Sequence, residues 1–126
     1  MLYELEPISF ATLQRVPNRR EYFYQEVADA HLIIANLPLN GIQLVVHKYV
    51  DAQGYTLDTW RVSDRETATK ICSKVSDNFD RDKAIDAAIA VLEQISEAEL
   101  ERGRKRIRDF KKSAKRLQRR KIRTLN

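Results

Sequence analysis

Between Arg102 and Asn126 the chain carries Arg102, Arg104, Lys105, Arg106, Arg108, Lys111, Lys112, Lys115, Arg116, Arg119, Arg120, Lys121 and Arg123, with Asp109 as the one acid. Guanidinium groups match phosphate oxygens in a two-point geometry, and each phosphate neutralised releases condensed counterions. The chemistry this predicts is phosphate contact with a polyanion, nucleic acid first of all, and these thirteen cations are the candidate nucleic-acid-binding residues. Like charges at i to i+4 spacing cost a helix a few tenths of a kcal/mol each. With only Asp109 to relieve them, helix formation and polyanion binding are expected to be coupled.

From just before this segment into it, Leu100, Ile107, Phe110, Ala114 and Leu117 recur at steps of seven, three, four and three. That spacing draws a narrow apolar seam along a cationic helix. Leu100, Ile107, Phe110 and Leu117 are therefore candidate protein-interaction residues, either for a partner or for a homodimer. Four large apolar residues are too few for a helix lying in a membrane surface.

Other chemistry finds little footing. His31 and His47 have no Cys or carboxylate at metal-ligand spacing, Cys72 lacks a local nucleophile motif, and Gly41, Gly54 and Gly103 are too scattered for a phosphate-cradling loop. Asp77, Asp80, Asp82 and Asp86 gather where a helix is expected to begin, and negative charge there complements the helix dipole. No catalytic residue, metal or cofactor is expected, and the chain reads as a non-enzyme. His47 and Tyr49 alternate with Ile42, Leu44 and Val46, so one side of a strand could display them beside Trp60; completion of the core by Tyr49 and Trp60 is the preferred reading.

The elements that must position the cationic segment come from the first 101 residues. Asn18 stands three residues before Glu21 in a capping-box-like spacing, and Phe23, Val27, Ala30, Ile34 and Leu37 follow at steps of four and three, predicting a first helix that ends near Pro38. The Leu39-Asn40-Gly41 turn leads into a strand over 42–50. Asp51-Ala52-Gln53-Gly54 turns it into a second over 55–63, and 67–75 is expected as a third. From Asp80 the residues Ile85, Ala88, Ile89, Leu92 and Ile95 mark one face of a second helix, which is expected to run on into the basic segment with Gly103 as its one weak point. The first 17 residues are expected as an extended lead-in packing Ile8, Phe10 and Leu13.

The predicted class is thus α+β, an αβββα body over 1–101 with a three-stranded antiparallel sheet packed on helices, followed by a long basic helical tail over 102–126. The body holds ten basic and seventeen acidic residues, net −7, whereas the tail is net +12. Such polarity suits a basic arm attached to a folded unit. The single cysteine, the acidic start and the absence of about 20 consecutive apolar residues predict a soluble cytoplasmic protein with no membrane partner.

The order αβββα resembles the double-stranded-RNA-binding domain in architecture, although Asp80-Arg81-Asp82-Lys83 stands where that family carries a basic cluster. The stretch from Leu57-Asp58-Thr59-Trp60 to Ala84-Ile85-Asp86, with the charged tail, looks like small accessory proteins of phages and plasmids. Two functions are expected from these features. The first is a nucleic-acid-binding accessory or regulatory protein that grips phosphates with its tail. The alternative is an inhibitor of anti-CRISPR or antirestriction type, whose acidic body covers a nuclease or ribonucleoprotein complex.

Overall fold

The computed structural model describes residues 3–37, 41–51, 53–72 and 75–125, with side chains described as far as 117. In chain order the elements are β1 (Glu4–Pro7), β2 (Ala11–Arg15), β3 (Tyr22–Glu26), β4 (His31–Ile34), β5 (Leu44–Val50), β6 (Thr56–Asp64), β7 (Thr69–Lys70), α1 (Arg81–Gln94) and α2 (Glu97–Leu125). Five strands form an antiparallel sheet in the order β1-β4-β5-β6-β7, and β2 and β3 form a second sheet of two strands. The class is α+β as expected, but the sheet has five strands rather than three.

Two of the extra strands, β3 and β4, come from the region where a helix was expected, and β1 and β2 come from the expected extended lead-in. Residues 22–26 and 31–34 are strands because the aromatic run Tyr22-Phe23-Tyr24 and the β-branched pair Ile33-Ile34 have a β preference that outweighs a coincidental spacing of four and three. Asn18, read from sequence as a helix cap, has φ of 60° and sits in the turn between β2 and β3, a left-handed position that Asn tolerates well. Asp29, also left-handed at φ 56°, interrupts the chain between β3 and β4. Pro38, Leu39 and Asn40, the expected end of that helix and the turn after it, lie outside the described residues, as do Ala52 of the following turn and Ser73 and Lys74 of the third expected strand. Among the described residues of that expected strand only Thr69–Lys70 form a strand, and Ala68, at φ 59°, turns the chain just before it. With no helix ahead of the sheet among the described residues, the αβββα order fails, and the resemblance to the RNA-binding domain fails with it.

Residues 4–34 make one long bent ribbon. Leu5 pairs with Ile33 and Leu13 with Tyr24, and between them Ile8 N–H donates to Ala30 O at 3.1 Å and Val27 N–H to Phe10 O at 3.1 Å. The lower half extends the main sheet and the upper half folds across its face. Lys48 N–H closes the bend on Ala28 O at 3.1 Å, while Leu13 N–H reaches Ala68 O and the Gln14 amide reaches Val50 O.

The main sheet is therefore covered on both sides. On one side Leu44, Val46, Val62 and Ile33 pack with Ala84, Ile85, Ala88, Ile89 and Leu92 of α1. Full burial of an aliphatic side chain is worth about 1.5–3 kcal/mol, so this cluster fixes α1 more firmly than propensity does. Asp80 caps that helix by accepting from the N–H groups of Asp82 and Lys83. The opposite side holds Val45 and His47, buried beneath the β2–β3 ribbon rather than displayed.

The second helix does not run into the tail. Ile95 is extended at ψ 150°, and the Ser96 hydroxyl accepts from Glu99 N–H at 3.1 Å, capping α2 as a separate helix. The break falls at Ile95–Ser96 rather than at Gly103, which lies inside α2.

Candidate nucleic-acid interface

The cations of α2 divide into those engaged with the rest of the chain and those left to solvent. Arg104 is engaged: Nε donates to Asp64 Oδ2 at 2.8 Å, Nη2 to Asp64 Oδ1 at 3.1 Å, and Nη1 meets Glu66 Oε2 at 2.9 Å. Its side chain is 13% exposed and that of Asp64 4%. The hydrogen bonds to Asp64 raise the Arg104 pKa against a smaller opposing effect of burial. Arg108 bridges Glu66 and Glu101 at the surface, raising its own pKa; its hydrogen bond is the first cause of the lowered Glu66 pKa. Asp109 is thus joined by Glu101 and, across some 40 residues, by Asp64 and Glu66 in relieving the basic segment, and the latter two are invisible to a local charge count.

The apolar seam lies partly against the same chain. Leu100 packs on the main core, Ile107 lines a cleft of about 240 Å³ with Ile71, Cys72 and Ile95, and Ala114 is fully buried. Phe110 meets the Tyr22 ring at 5.9 Å between centroids, and the Arg15 guanidinium lies 5.5 Å from the Phe110 centroid. Leu117 is exposed.

With Ile107, Phe110 and Ala114 turned inward, the 100° step of an α-helix places Arg102, Lys105, Asp109, Lys112 and Arg116 along the opposite face. All five are exposed, as are Arg106 and Lys115 on its flanks. Along this face the cations recur at steps of three, seven and four residues, with Asp109 between Lys105 and Lys112. Lys111 is half-buried over the Tyr24 ring. Arg119, Arg120, Lys121 and Arg123 lie in a stretch whose side chains are outside the described residues.

The structure adds cations that sequence reading missed. Arg15, Arg19 and Arg20 are exposed on β2 and the turn after it, and Arg15 Nε donates to Arg19 O at 3.2 Å while stacking on Phe110 of α2. Arg15 of the acidic body thereby stands beside the basic helix. The signal for these cations was the run Arg19-Arg20-Glu21-Tyr22-Phe23-Tyr24, in which basic and aromatic residues are neighbours. Assignment to a helix hid it.

Two other constellations have chemical types of interest. His47 Nε2 lies 2.7 Å from Ser63 Oγ and Nδ1 lies 2.8 Å from Lys48 O. A ring with Nδ1–H donating to that carbonyl accepts the Ser63 proton at Nε2, which is the arrangement of a base beside a hydroxyl. Both residues are wholly buried, and burial lowers the His47 pKa to about 4, aided by Arg61 and opposed by the Lys48 carbonyl. The pair serves as a satisfied polar link between β5 and β6. Tyr49 and Trp60 are likewise occupied: Arg61 lies 3.9 Å from the Tyr49 centroid, and Lys48 and Arg81 stand 4.5 and 5.7 Å from that of Trp60. His31 Nδ1 lies 2.9 Å from Asp29 O and is remote in sequence from both groups.

Among the described residues no group of His, Cys, Asp and Glu is arranged to hold a metal ion, and no helix is long and apolar enough to cross a membrane. The chain matches no protein-family model, and neither a curated protein nor a solved structure shows significant similarity to it.

Proposed function

We propose that the chain is a non-enzymatic nucleic-acid-binding accessory or regulatory protein whose basic helix contacts phosphates. The observation that carries this reading is the division of labour within α2. Arg104 and Arg108 are held by carboxylates, whereas Arg102, Lys105, Arg106, Lys112, Lys115 and Arg116 remain exposed. Anchoring one set holds the other in a fixed row facing solvent. A soluble protein needs far less charge on one face for solubility alone.

The test is a salt-titrated binding assay on the whole chain with single-stranded and duplex oligonucleotides. Truncation at Glu101 is unsuitable, because it strands the buried Asp64 and removes Phe110 and Ala114 from their packing. The informative variant converts the exposed Lys112, Lys115 and Arg116 together to Gln. The expected result is binding at low salt whose log affinity falls steeply with log salt, with a slope lower by up to about 3 in the variant. Absence of binding to either oligonucleotide at low salt refutes the proposal.

A further inference from the structure

On the outward face of the β2–β3 ribbon Arg15 and Tyr22 are paired in register, and Leu13 and Tyr24 follow. Tyr24 is 52% exposed, whereas Tyr49 and Trp60 of the main sheet, which also carry cations over their rings, are only partly exposed. Its ring is held rather than loose: Tyr22 meets it edge-on at 5.8 Å and 89°, and Lys111 Nζ stands 5.6 Å from its centroid. Tyr22 in turn leans on Phe110, which Arg15 caps. The ribbon and α2 thus build one surface in which braced aromatic rings alternate with cations, continued by Arg19 and Arg20 at the turn and bounded by the exposed Glu26 beyond Tyr24.

This alternation has a specific ligand chemistry. Duplex bases are stacked on one another and present no free face, so a duplex would use the cations and leave the ring idle. A single strand offers an unstacked base for each phosphate, and base-on-aromatic stacking beside a cation that meets the backbone is how such strands are held without regard to sequence. We infer that the surface formed by Tyr24, Tyr22 and Lys111 with the Arg15–Arg20 turn is a stacking site for single-stranded nucleic acid, with a base on Tyr24 and the flanking phosphates on Lys111 and the turn arginines. The inference rests on the phosphate-binding reading above and adds to it the class of strand and the residue that selects it.

The experiment compares an oligothymidine of about 16 nucleotides with a duplex of equal length, by fluorescence anisotropy at fixed low salt, for wild type, Tyr24→Ala and Tyr24→Phe. Tyr24→Ala is expected to lower single-strand affinity about fivefold or more while moving duplex affinity less than about twofold, and Tyr24→Phe, which keeps the ring, restores the wild-type value. In parallel, an oligonucleotide carrying 5-iododeoxyuridine is photocrosslinked to the wild-type chain, and the adduct is expected on Tyr24. Equal losses for both ligands, no loss for either, failure of Tyr24→Phe to restore, or adducts confined to α2 overturn the stacking site while leaving the phosphate reading intact. Absence of wild-type binding to both oligonucleotides overturns both.

Discussion

Arg104 and Asp64 are 40 residues apart in sequence and meet as a two-point ion pair, Nε to Oδ2 at 2.8 Å and Nη2 to Oδ1 at 3.1 Å. Asp64 also accepts from Glu66 N–H and the Thr67 hydroxyl, so the same carboxylate shapes the turn after β6 and receives α2. The guanidinium therefore belongs to the fold, although its sequence neighbourhood is indistinguishable from that of its exposed companions.

Replacing Arg104 with Ala leaves a buried carboxylate short of its charge partner. Breaking one side of a buried pair costs about 3–5 kcal/mol, and the rim position of Arg104 places the expected loss near the lower bound, about 3 kcal/mol. Urea unfolding should show a lowered midpoint with an unchanged m-value. The double variant with Asp64→Asn should recover part of the loss, since no bare charge remains; a double variant no more stable than Arg104→Ala alone would contradict the pair's assigned role.

A second prediction concerns acid. The folded His47 pKa, about 4, lies below the ordinary 6.5, so between these values the unfolded chain binds the extra proton and the folded chain does not. The stability contribution is fully present above pH 6.5 and is lost as pH falls through that window toward 4. At 1.36 kcal/mol for each pH unit of displacement the loss is about 3 kcal/mol. Asp77 adds to the decline only at lower pH, since Arg61 holds its pKa below the usual value in spite of burial. Denaturation midpoints across pH 7 to 4 should fall in wild type, and a His47→Gln variant should lack that slope above pH 4.5.

The β5–β6 hairpin and α1 were legible because their signals are local: β-branched runs around a Gly54 turn at φ 88°, and an aspartate cap ahead of a 3.6-residue period. The bent ribbon was not. Phe23, Val27, Ala30 and Ile34 fit a helical period, yet among the last two only Ala30 is buried, and Ile33 takes the core position beside it. Burial of His47 was invisible for the same reason, since its cover is the ribbon that a helix had replaced. In the candidate site, the exposed row on α2 follows from charge density and helix geometry alone. Which cations are consumed by Asp64 and Glu66, and which aromatics join them, depends on contacts across 38 or more residues.

Gly103 offers a check on the helix itself. It lies inside α2 without a positive φ, and a Cβ built there meets nothing within 4 Å. Ala gains helix propensity and restricts the unfolded chain without a clash, so Gly103→Ala should stabilise the protein by about 0.5–1 kcal/mol. A rise of a few degrees in Tm is the expected reading. Destabilisation would mean that the backbone at this position departs from a regular helix.

Salt should act on this protein against the usual expectation for a chain with surface ion pairs. Arg102–Arg106, Arg104–Arg108, Arg108–Lys112, Lys111–Lys115 and Lys112–Arg116 are like-charged at i to i+4, and at a few tenths of a kcal/mol each they together oppose α2 by about 1–2 kcal/mol. The pairs of Arg108 with Glu66 and Glu101 are exposed and readily screened. The Arg104–Asp64 pair is sheltered and persists. Raising NaCl from about 0.01 to 0.5 M shortens the Debye length from roughly 30 Å to below 8 Å and removes more repulsion than attraction. Helical ellipticity at 222 nm and Tm should therefore both rise, and converting Lys112, Lys115 and Arg116 to Gln should flatten the rise by removing three of these pairs together with Lys115–Arg119 and Arg116–Arg120. A Tm that falls with salt would show that the ion pairs at Glu66 and Glu101 outweigh the repulsion, and that α2 is held chiefly by exposed charge.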